Sequence, residues 1–153
     1  MEISFTLNHK PKTVIVSSNE SLLETLRKHH ILSVKQGCND SSCGVCTVLV
    51  NGNPVLSCSV LTARLEGKDI ITVEGMQEEV RYFYSFYGDE GADQCGFCNP
   101  GVALTAIAFK QRHHNPSDDE IRDYFVGNLC RCSGYQSQFK AIKRYVGDTD
   151  AND

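Results

Sequence analysis

Cys38-Asn39-Asp40-Ser41-Ser42-Cys43-Gly44-Val45-Cys46 sets three thiols at the spacing Cys-x4-Cys-x2-Cys, and Cys58 follows as a fourth. Soft thiolates at this spacing suit a [2Fe–2S] cluster, held in a tight loop whose backbone N–H groups point at the sulfurs. Gly37 and Gly44 flank that loop, where a missing Cβ permits unusual φ/ψ and close backbone approach. Zinc is the competing ligand. Its sites more often pair two short-spaced cysteine couples, so a three-cysteine loop with one distant partner favours iron.

Around the loop the chain reads first as sheet. Ile3, Phe5 and Leu7 alternate with polar residues, and Thr13-Val14-Ile15-Val16 supplies a second β-branched run across a Lys10-Pro11-Lys12 break, which together predict a hairpin. Ser21 and Glu24 fit a capping box, and Leu22, Leu23 and Leu26 continue it as a helix over 22–30. Thr47-Val48-Leu49-Val50, the turn Asn51-Gly52 and Pro54-Val55-Leu56 read as a second hairpin, and Ile70-Ile71-Thr72-Val73 as a further strand. After Gly75 the strand signals stop. Helical character follows near 77–87, 101–113, 118–126 and 136–146, with Pro100 in a first turn, a second capping box at Ser117 and Glu120, and Gly127 and Gly147 at helix ends. The expected division is a mixed sheet with one helix over residues 1–75, and four helices over 76–153.

Composition narrows the function classes. The 153 residues are 41% hydrophobic and 22% charged, with no apolar run near the ~20 residues of a membrane span. A net charge of -4 argues against nucleic acid, since the best basic cluster is Arg27-Lys28-His29-His30. The N-terminus lacks the features of a secretory signal, which places the chain in the cytoplasm. Thiols stay reduced there, so all eight cysteines read as metal ligands rather than disulfides. The second set, Cys95-x2-Cys98 with Cys130-x-Cys132, could by spacing alone hold either zinc or iron.

Longer segments carry a resemblance to a known family. These are Val34-Lys35-Gln36-Gly37-Cys38, Cys43-Gly44-Val45-Cys46 running on to Gly52, Gln94-Cys95-Gly96-Phe97-Cys98-Asn99-Pro100-Gly101, and Gly127-Asn128-Leu129-Cys130-Arg131-Cys132-Ser133-Gly134-Tyr135. Across nearly its whole length the chain resembles the small iron–sulfur subunit of molybdenum hydroxylases, a family that includes xanthine dehydrogenases, aldehyde oxidoreductases and carbon monoxide dehydrogenases. The resemblance implies an α+β chain, with an N-terminal β-grasp ferredoxin-like domain followed by a C-terminal four-helix bundle domain, each binding one [2Fe–2S] cluster. It further implies electron flow from a molybdenum–pterin centre in a large partner subunit, through the Cys95/Cys98/Cys130/Cys132 cluster and then the Cys38/Cys43/Cys46/Cys58 cluster, to an FAD-binding subunit. Gln94 and Cys132 would lie nearest the pterin, and this chain would catalyse no substrate chemistry itself. A stand-alone two-cluster carrier and a zinc-stabilised interaction module are the alternative readings.

Three positions depart from the family pattern. Ser41 stands where glycine is usual, and Asn99 and Ser133 replace threonines; the latter two keep a polar side chain able to hydrogen-bond near a cluster or pterin. The five histidines lie at expected helix ends and read as surface groups. Tyr82-Phe83-Tyr84-x-Phe86-Tyr87 reads as core with some subunit contact.

Overall fold

The computed structural model describes residues 1–148. Ile3, Phe5 and Leu7 turn one face of β1 (Glu2–Leu7) into the core. The chain reverses at Asn8 and His9, with φ of 49° and 66°, the left-handed pair that a two-residue hairpin turn uses. It returns as β2 (Lys10–Ile15). The expected break at Lys10-Pro11-Lys12 is therefore absent. Pro11 sits within β2 opposite Thr6, on an outer strand, the one place in a sheet where a missing N–H is tolerated.

Helix α1 (Leu22–Lys28) starts from the expected capping box: the Glu24 N–H donates to Ser21 Oγ at 3.2 Å, and the Ser21 N–H donates to the Glu24 carboxylate at 2.8 Å. It stops short of residue 30, because His29 caps it and His30 swings to φ 63°. The strands β3 (Thr47–Val50), β4 (Asn53–Leu56) and β5 (Asp69–Ile71) complete a five-stranded mixed sheet in the order β2-β1-β5-β3-β4. β1 and β5 run parallel, and the other pairs are antiparallel. β5 is shorter than its β-branched run, since Val73–Gly75 winds into a 3₁₀ turn.

Four helices follow: α2 (Gln77–Asp89), α3 (Asn99–Lys110), α4 (Asp118–Phe125) and α5 (Gln136–Gly147). α5 runs through Gly147, one residue past its expected end. Every residue of α3 from Gly101 to Phe109 is buried, as expected of a helix apolar on all sides. One flank of α3 meets the sheet through Leu104 and Ala108 against Leu49 and Ile71. Its other flank packs with α2, α4 and α5 around Phe83, Tyr87, Ile121 and Tyr145. On the opposite face of the sheet, Phe5, Val48 and Ile70 pack against Leu22 and Leu26 of α1. Phe83 and Tyr87 of the aromatic run are fully buried, and Phe83 meets Tyr145 edge-on at 5.1 Å. His113 is half-buried rather than on the surface, stacked on Phe109 at 4.0 Å. No helix among the described residues is long and apolar enough to cross a membrane.

Candidate metal centres

The loop between α1 and β3 carries Cys38, Cys43 and Cys46, and the 3₁₀ turn Ser57–Ser59 after β4 brings up Cys58. Ser57 fastens that turn to the loop, donating its hydroxyl to the Cys46 carbonyl at 2.7 Å. The thiols associate in pairs. Cys38 lies within hydrogen-bonding reach of Cys43, and Cys46 of Cys58. The Cys43 N–H lowers the Cys38 thiol from its ordinary value, while burial, followed by the Cys58 thiol, raises Cys46. Ser41 adopts φ 59°, so the position does demand left-handed backbone. Its hydroxyl reaches Cys58 Sγ at 3.4 Å.

The second group forms where two loops meet ahead of α3 and α5. Cys95 pairs with Cys132, both exposed, and Cys98 pairs with Cys130, deeper in. Burial lifts Cys98 to about 11, with Cys130 adding to the effect. Burial also pushes Cys130 up, yet the Ser133 hydroxyl at 3.3 Å, the Ser133 N–H at 3.5 Å and the Cys132 N–H at 3.4 Å bring it below its ordinary value. Ser133 thus bonds a thiol of this group. Asn99 does so too, its Oδ1 accepting from the Cys98 thiol at 3.9 Å while its Nδ2 donates to Asp93 Oδ1 at 2.8 Å. Gln94 is exposed beside Cys95.

Among the described residues no three His, Cys, Asp or Glu side chains converge as a single metal ion would require. Paired thiols suit a two-iron cluster, in which two cysteines serve each iron. The donor chemistry fits as well. The thiols that burial biases towards the neutral form, Cys43, Cys46 and Cys98, favour the thiolate beside a compensating cation, whereas Cys38, Cys95 and Cys130 are already biased towards the thiolate.

The two groups adjoin. The Leu129 N–H donates to the Cys43 carbonyl at 3.0 Å, which leaves one residue bond between a hydrogen bond to the first loop and Cys130 of the second. Glycine makes this approach possible. A Cβ on Gly101 would lie 2.4 Å from the Gly44 carbonyl oxygen, and one on Gly44, at φ 72°, would lie 2.3 Å from that of Gly127. Lys35 adds a second tie, donating to the Gly96 carbonyl at 3.2 Å with its ammonium 5.1 Å from the Phe97 ring centre. A cavity of about 620 Å³ lies between the groups, lined by Gly37 and Cys43 on one side and by Cys95, Cys98 and Cys130 on the other.

Three contributors had no role assigned from the sequence, Leu129, Lys35 and Gln138, and Tyr87, read there as core with some subunit contact, also accepts from Gln138. The first two act through pairings across the fold that local pattern does not reveal. Gln138 carried a readable signal, as a polar residue on the apolar stripe of α5, and its Nε2 lies 3.6 Å from Cys98 Sγ.

A 2Fe-2S iron-sulfur cluster binding domain family matches residues 3–81, and a [2Fe-2S] binding domain family matches residues 72–143. The nicotinate dehydrogenase small FeS subunit of Eubacterium barkeri is 39% identical over 153 residues, covering 98% of this chain and 97% of that protein. The xanthine dehydrogenase iron-sulfur-binding subunit of Escherichia coli O157:H7 is 44% identical over 138 residues, covering 88% and 87%. Among solved structures, a chain of quinoline 2-oxidoreductase from Pseudomonas putida 86 superposes with a TM-score of 0.88 at 38% identity, covering 95% of this chain and 93% of that one.

Proposed function

The chain belongs to the small iron–sulfur subunits of the molybdenum hydroxylases, and from that premise we propose how its cysteines divide the work. It is a non-catalytic, [2Fe–2S]-binding electron-transfer subunit of an oxidoreductase. In our reading Cys38, Cys43, Cys46 and Cys58 hold one cluster in a β-grasp unit over residues 1–75. Cys95, Cys98, Cys130 and Cys132 hold the other in a four-helix bundle unit assigned to 76–153, of which 149–153 lie outside the described residues. A bound [2Fe–2S] cluster supplies one-electron exchange at thiolate-held iron.

The chain's own residues set direction and contact. Cys95, Cys132 and Gln94 are exposed together, and we assign that face to a large molybdenum–pterin subunit, with Gln94 and Cys132 nearest the pterin. The loop after Cys38, exposed from Asn39 to Ser42, is assigned to an FAD-binding subunit. The complex so composed is of the xanthine or purine dehydrogenase type and cytoplasmic. The observation that carries this reading is the hydrogen bond from the Leu129 N–H to the Cys43 carbonyl, which supplies a short bonded bridge between the two ligand loops.

Anaerobic pull-down of the tagged chain, with metal and flavin analysis, tests the proposal. A molybdenum-containing large partner, a flavin-containing partner, and about four iron with about four acid-labile sulfides per chain are expected. Iron without either partner would overturn the assembly in favour of a free carrier, and zinc in place of iron would overturn the ligand assignment.

A further inference from the structure

Gln138 stands where α5 packs an apolar face. Gln138, Ala141, Ile142 and Tyr145 follow helical spacing and are all buried, Gln138 to 4% exposure. Burying an amide is unfavourable unless its donors are used, and a polar side chain kept in an apolar stripe points to a role beyond packing. Both donors of Nε2 find partners here: the Tyr87 hydroxyl, and Cys98 Sγ at 3.6 Å. Tyr87 is fully buried, and its hydroxyl holds the Gln138 amide that reaches this sulfur. The Gln138 amide and, at 3.9 Å, the Asn99 Oδ1 therefore meet one thiol inside an apolar cluster that includes Phe83, Val102 and Ile142.

A ligand sulfur carries no proton and can only accept. The Tyr87 hydroxyl accepts from one N–H of the Gln138 amide and so fixes its orientation, and the other N–H donates to the sulfur. One-electron reduction of the cluster adds one negative charge without breaking a bond, so donors aimed at its sulfur stabilise the reduced form more than the oxidised one. Burial strengthens the effect and keeps water from replacing a lost donor.

We propose that Gln138, held in place by Tyr87, is a buried donor to Cys98 that raises the reduction potential of the second cluster. This rests on the assignment of Cys95, Cys98, Cys130 and Cys132 as its ligands. The test is an EPR-monitored redox titration with dithionite of the chain purified with its partner subunits, comparing wild type with Gln138→Met and Tyr87→Phe. The signal altered by Cys132→Ser identifies the second cluster. Each variant should lower that cluster's potential, with a threefold to tenfold fall in the equilibrium constant for its reduction, at most about 59 mV for one electron. The first cluster should keep its potential. If Gln138→Met loses iron, Tyr87→Phe, which removes a single oxygen, still decides. Two cluster signals with unchanged potentials, or an equal shift in both clusters, would overturn the proposal. A wild-type protein with only one [2Fe–2S] signal would instead overturn the ligand assignment beneath it.

Discussion

Substituting alanine for Gly101 places a methyl group 2.4 Å from the Gly44 carbonyl oxygen, about 0.6 Å inside the closest approach that a Cβ makes. Both sides of this contact are main chain, one of them the first turn of a fully buried helix, so no side chain can swing away. The ligand loop must retreat instead. A retreat of that size at Gly44 would stretch the adjoining Cys43 to Leu129 hydrogen bond from 3.0 Å to about 3.6 Å, beyond hydrogen-bonding range. Two energies oppose each other. Overpacking of a rigid contact costs about 1–3 kcal/mol, whereas alanine gains at most about 1 kcal/mol over glycine in helix propensity, and less than that in a first turn. The net loss should be about 1–2 kcal/mol, lowering the melting temperature by about 2–8 °C. Thermal melting by circular dichroism, with hydrogen exchange at the Leu129 amide, reads both consequences. A variant that melts at or above the wild-type temperature with the Leu129 amide equally protected would refute the reasoning.

Two other perturbations follow from local backbone and capping geometry. Ser41→Gly relieves a left-handed residue at φ 59°, and after the greater entropy of unfolded glycine is set against it, stability should rise by about 0.5–1 kcal/mol; a fall in the denaturation midpoint would contradict this. The Ser117 N–H and hydroxyl hold the Glu120 carboxylate below its ordinary value of 4.5. Because the folded value is depressed, the capping contribution is complete above that ordinary value and is lost as pH falls through the lower folded one. Glu120→Gln should therefore flatten the acid limb of a stability-versus-pH curve, and an unchanged limb would remove the cap from the account of α4.

The order of strands and helices was legible because alternation in Ile3, Phe5 and Leu7 and the boxes at Ser21/Glu24 and Ser117/Glu120 are local signals. Misplaced boundaries have local causes as well. Pro11 read as a break because its tolerance depends on lying in an outer strand, a fact about neighbours rather than sequence. The run Ile70-Ile71-Thr72-Val73 overstated β5 because Thr72 is drawn into side-chain bonds with Asn8 and Glu74 as the chain leaves the sheet. At the metal centres the cysteine spacing was visible, and so was the glycine requirement at Gly44. The bridge from Leu129 to Cys43 was not, since it joins residues far apart in the chain through backbone atoms that carry no side-chain signature. Histidines at helix ends all looked alike, although the ring of His113 stacks on Phe109.

Low-temperature EPR of the dithionite-reduced protein, with Cys58→Ser and Cys132→Ser beside the wild type, bears most directly on two adjoining clusters held by two separate cysteine groups. The wild type should give two distinguishable [2Fe–2S] signals broadened by each other's proximity, Cys58→Ser altering one and Cys132→Ser the other. A single signal, or two substitutions that alter the same one, would contradict that division of the eight cysteines.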